Sequence, residues 1–66
     1  MKITINGQTK DLTNAQNIAE LVSQFCKVPK NVIAEINGGI VPSSDWAKTT
    51  LKDGDTIELV TFVGGG

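Results

Sequence analysis

Residues 56–63, T-I-E-L-V-T-F-V, form the most apolar stretch of this chain, and three glycines, Gly64, Gly65 and Gly66, follow it. Ile57 and Leu59 alternate with Glu58, the pattern of a strand with one buried face. Val60, Phe62 and Val63 then carry apolar side chains up to the first glycine. A strand apolar on both sides is predicted to lie in the middle of a sheet, flanked by other strands. The rest of the fold must be built around it. The glycines would project from that fixed strand as a flexible arm. Glycine tolerates every backbone conformation, so such an arm can thread a narrow channel. Three extended residues reach about 10 Å. That is enough to carry the terminal carboxylate into a partner's pocket. The carboxylate has a reference pKa of about 3.5, so it is ionised at neutral pH and a poor electrophile. It needs activation before any acyl chemistry, which makes the tail a substrate for another enzyme rather than a catalyst.

The remaining residues supply the other elements in order. Residues 2–6 alternate, with Met1, Ile3 and Ile5 on one face. Asn6-Gly7 is a strong hairpin signal, because both positions tolerate positive φ. Residues 8–12 form the returning strand, and this hairpin is expected to supply two outer strands. A helix then starts after Asn17, with Glu20 three residues on as in a capping box. Ile18, Leu21, Val22 and Phe25 recur at i, i+3, i+4 and i+7, which predicts one buried face. Lys27 is placed at the helix C-terminal end, where a cation complements the dipole, and Pro29 stops the helix. Residues 31–37 are the next strand, Asn37-Gly38-Gly39 a turn, and Ile40-Val41 a short fourth strand. Ser43 or Ser44 is expected to cap a single helical turn that carries Trp46 into the core. Asp53-Gly54-Asp55 turns the chain into the last strand.

With 66 residues there is one domain, residues 1–66: a globular body over 1–63 and a reactive tail over 64–66. The order β-β-α-β-β-(short helix)-β, with one amphipathic helix needing a sheet to cover, gives an α+β class. The architecture is a β-grasp, or ubiquitin-like, mixed five-stranded sheet with the helix on one face. Ile3, Ile5, Ile36, Ile57 and Leu59 are expected under the helix. Alternation turns Ile33, Val60 and Phe62 to the opposite face, where they form a candidate docking surface beside the tail.

Six lysines are scattered among seven acids, with no arginine, so nucleic-acid binding has no electrostatic footprint. No apolar run is long enough to span a bilayer. The opening M-K-I-T-I-N has no signal-peptide pattern, and the single Cys26 fits a reducing cytoplasm. No histidine exists to activate Cys26, which reads as a packing or partly buried cysteine.

Three segments resemble the ThiS family of small sulfur carrier proteins of thiamine biosynthesis. They are I-A-E-I-N-G-G-I-V-P-S-S-D-W (residues 33–46), L-K-D-G-D-T-I-E-L-V (residues 51–60) and the terminal F-V-G-G-G. The D-G-D turn is common to many β-grasp domains. The N-x-x-I-V-P-x-x-x-W stretch joined to a terminal Gly-Gly in so short a chain is far more specific. The resemblance implies that an adenylyltransferase related to ubiquitin-activating enzymes (ThiF type) adenylates the carboxylate of Gly66 with ATP. AMP is then linked to Gly66 only transiently, and no cofactor is held permanently. A sulfur donor such as a cysteine desulfurase converts the adenylate to a thiocarboxylate, and thiazole synthase (ThiG type) accepts the sulfur. Gly65 and Gly64 would give the tail access to these partners. The alternatives are the small subunit of molybdopterin synthase, a ubiquitin-like modifier ending as an isopeptide, and a plain interaction module.

Overall fold

The computed structural model describes residues 1–62. The reactive tail assigned to Gly64, Gly65 and Gly66, and Val63 at the end of the body, lie outside the described residues. Five strands are present: β1 (Lys2–Ile5), β2 (Gln8–Asp11), β3 (Val32–Ile36), β4 (Gly39–Val41) and β5 (Thr56–Thr61). One α-helix, α1 (Ile18–Phe25), crosses between β2 and β3, and 3₁₀ turns occupy Pro29–Asn31 and Ser43–Lys48. The sheet order is β2-β1-β5-β3-β4. The last strand is therefore the central one, parallel to β1 and antiparallel to β3. The first hairpin is not wholly outer: β2 is the edge, and β1 lies inside it against β5. This is the β-grasp arrangement.

Both hairpins turn through Asn-Gly pairs in which both residues have positive φ: Asn6 at 50° with Gly7 at 82°, and Asn37 at 50° with Gly38 at 88°. Such turns match the right-handed twist of the strands they join. Each asparagine side chain has a second use on the central strand. The Asn6 amide accepts from Leu59 N–H at 2.9 Å and donates to Leu59 C=O at 3.3 Å, imitating one more residue of the β1 ladder. Asn37 Oδ1 accepts from Thr56 N–H at 2.9 Å, and its Nδ2 donates to the buried Asp55 carboxylate at 3.0 Å. Asp55 Oδ2 accepts from Lys52 N–H at 2.8 Å, so both carboxylate oxygens are used. β5 is thus clamped at its start by one turn and near its middle by the other. An unsatisfied part-buried partner costs about 1–3 kcal/mol, a large share of the stability of so small a domain.

Ile3, Ile5, Ile57 and Leu59 are buried on the sheet face under α1, against Ile18, Leu21 and Val22. Ile36 is only partly buried at the margin of this core. Trp46 is buried from the second 3₁₀ turn, and its Nε1–H donates to Val41 C=O at 2.9 Å. That bond spares the indole an unpaired donor in the core.

Several expectations are corrected. The helix starts as the capping signal indicates, with Glu20 N–H donating to Asn17 Oδ1 at 2.8 Å. The Glu20 carboxylate accepts from Gln16 N–H, one residue before the cap. The helix ends at Phe25, where Cys26 N–H closes it onto Val22 C=O. Lys27 therefore lies beyond the last turn and does not cap the dipole. Phe25 is exposed rather than buried, because it stands on the last helical residue, at the rim of the core; the Lys10 ammonium sits 5.9 Å from its ring centroid. Neither Ser43 nor Ser44 caps the second 3₁₀ turn, which follows Pro42 and begins with Asp45 N–H bonded to Pro42 C=O. By contrast, β5 is as expected: central, with its second face open. Its outward residues Glu58 and Val60 face open surface.

Candidate functional site

The chain leaves the sheet from its middle. Thr61 closes β5, and Phe62 N–H still donates to Asn31 C=O at 2.9 Å, continuing the β3 pairing by one step. The described chain thus ends on a held backbone, and residues 63–66 follow it in the sequence. Extended, those four residues reach about 13 Å.

The open sheet face beside this exit is apolar. Ile33 and Val60 are register partners on β3 and β5, so their side chains lie side by side. They are 41% and 48% exposed, and Phe62, one step further along, is 47% exposed. Phe62 also borders a groove of about 280 Å³ that it shares with Phe25, Cys26 and Val28 at the helix end. The three residues singled out from alternation thus share one region, with Ile33 and Val60 paired and Phe62 at its rim. Ile40, which the alternation of the last strand does not reveal, belongs with them. It pairs with Glu35 on the neighbouring strand and is the most exposed large apolar residue described, at 69%. Ile33 and Ile40 both also line a second groove, which reaches Trp46. The signal was available in the two-residue run Ile40-Val41: if Val41 packs inward, Ile40 must point out.

Cys26 is half-buried, and that burial pushes its thiol above the usual cysteine range. It is thus protonated at neutral pH and poorly suited to nucleophilic work. Among the described residues no cluster of His, Cys, Asp or Glu could hold a metal ion, and no helix is long and apolar enough to cross a membrane.

Residues 3–66 match the ThiS family. The "Sulfur carrier protein ThiS" of Escherichia coli K12 is 33% identical over 66 residues, covering 100% of both chains. The crystal structure of the thiamine biosynthesis protein ThiS from Geobacter metallireducens superposes with a TM-score of 0.81 at 34% identity, covering 100% of both chains. A "Thiazole synthase" of Paramagnetospirillum magneticum is 35% identical over the whole of this chain, which spans only 20% of that protein's length. The chain belongs to the ThiS family.

Proposed function

We propose that this member of the ThiS family carries sulfur for thiazole formation in thiamine biosynthesis, on the carboxylate of Gly66. The observation that carries the reading is the match to the family over residues 3–66, which takes in the β-grasp body and the glycine tail together. The body supplies no acyl chemistry of its own in this reading; partner enzymes act on the tail. A ThiF-type adenylyltransferase brings ATP, and a carboxylate oxygen of Gly66 attacks the α-phosphorus. An acyl adenylate forms and pyrophosphate leaves. Activation is required because an ionised carboxylate resists nucleophiles, whereas AMP is a competent leaving group. A persulfide on a donor such as a cysteine desulfurase, its outer sulfur drawn from cysteine, attacks the acyl carbon and displaces AMP. A thiol then reduces the resulting acyl disulfide, releasing the thiocarboxylate and leaving the donor in a disulfide. Thiazole synthase accepts that sulfur. The relative named thiazole synthase, one segment of which resembles this whole chain, supports that choice of acceptor.

Gly64 and Gly65 serve this scheme by letting the tail enter a tight channel, since neither carries a Cβ. Ile33, Val60 and Phe62 serve it as the surface on which a partner seats the body. A strain lacking this chain tests the pathway. Growth without thiamine is expected to fail and to be restored by supplied thiazole. Normal growth without thiazole, with loss of molybdopterin-dependent growth instead, would favour a molybdopterin-synthase subunit.

A further inference from the structure

The open sheet face carries a charge arrangement that the fold itself does not need. Glu35 on β3 and Glu58 on β5 are direct register partners, and both point away from the helix, as their neighbours Ile33 and Val60 do. Like charges directly opposite each other on a sheet are destabilising. No lysine occurs on β3, β4 or β5 to offset them. Among the described residues the one ion pair is remote, between the Met1 ammonium and Asp11. The acids also stand in apolar surroundings: Ile33 and Val60 form the next outward pair along the strands, and Ile40 pairs with Glu35 from β4.

We propose that Glu35 and Glu58 together receive an arginine side chain of thiazole synthase, as the polar centre of a docking surface completed by Ile33, Ile40 and Val60. The proposal rests on the functional reading above, in which that enzyme accepts the sulfur. Charge complementarity selects the cation. Two carboxylates on adjacent strands match the planar, five-donor fork of a guanidinium, which can bond both at once. The apolar neighbours exclude water and strengthen that contact. In the functional reading the enzyme acts on Gly66, which follows β5, the strand that carries Glu58 and Val60.

The test pairs thermal unfolding with calorimetric titration of the full chain into thiazole synthase from the same organism. Glu58→Gln and the double variant Glu35→Gln/Glu58→Gln remove the repulsion, so the free domain is expected to gain about 1–5 °C in Tm. The same variants are expected to bind at least about tenfold more weakly, and the deficit is expected to shrink as salt is raised. Higher Tm with wild-type affinity overturns the proposal and leaves the functional reading intact. A lower Tm overturns it by making the pair structural. Should the wild-type chain itself fail to bind thiazole synthase, the functional reading fails, and the docking proposal falls with it.

Discussion

Deleting Gly65 and Gly66 is expected to abolish ATP-dependent activation of this chain while leaving its unfolding temperature unchanged. The described body is held together by residues that precede them. Among the described residues the last buried side chain is Leu59, and the last backbone bond of the sheet is made by Phe62 N–H to Asn31. In the proposed reading the chemistry depends on them, because the carboxylate that is activated is that of Gly66. A tag fused after Gly66 is expected to have the same effect, since it replaces the carboxylate with an amide. Gly65→Val is the milder form of the experiment. Its side chain obstructs the channel and narrows the backbone's freedom, so pyrophosphate release is expected to slow without loss of the fold. Wild-type activation of a C-terminally tagged protein would show that the acyl site lies elsewhere.

Truncation at Leu59 in the last strand and at Phe62 just beyond it separates folding from docking. Leu59→Ala empties a buried site on the central strand, where such changes cost about 2–5 kcal/mol. A domain of this size holds only several kcal/mol in all. Its Tm is therefore expected to fall by more than about 8 °C, and partial unfolding at room temperature is the expected extreme. Phe62→Ala removes a larger side chain from a position that is nearly half exposed. Its stability cost is expected to be well below that of Leu59→Ala. Its cost appears instead in affinity for the activating enzyme, where a lost aromatic anchor often weakens binding by about 1–2 kcal/mol. Thermal unfolding and calorimetry read the two effects separately. If Phe62→Ala unfolds the domain as badly as Leu59→Ala, or binds the enzyme as tightly as the wild type, the docking surface is wrongly placed.

Local signals in the chain carried most of the architecture. Alternation in residues 2–6 and 56–61, two Asn-Gly turns, and Asn17 with Glu20 each act over a few residues, and each appears as an element or cap. What those signals could not carry is tertiary. The asparagines of the turns are legible as turn residues from their tolerance of positive φ. That the Asn6 side chain also completes the ladder on Leu59, 53 residues away, depends on which strand lies beside β1. Phe25 fits the helical period, yet it stands on the final residue of the helix, where the period no longer decides burial. Lys27 fails as a dipole partner for the same reason. Ser43 and Ser44 have the right chemistry for a cap, but the preceding Pro42 supplies the turn through its backbone carbonyl. The apolarity of β5 correctly marks it as central. It marks an open apolar face as well, which composition alone does not distinguish from a second buried one. The like-charged Glu35–Glu58 pairing becomes visible only once the register of β3 on β5 is known.

The central claim, that Gly66 carries sulfur, is tested most directly by intact-mass and C-terminal peptide mass spectrometry of the protein isolated from its own cells during thiamine limitation. The account predicts a fraction of molecules heavier by the replacement of one oxygen with sulfur. The change should map to the carboxylate of Gly66 and disappear when the adenylyltransferase is deleted. An unmodified C-terminus in every molecule under those conditions, or Gly66 found joined to a lysine of another protein, would contradict it.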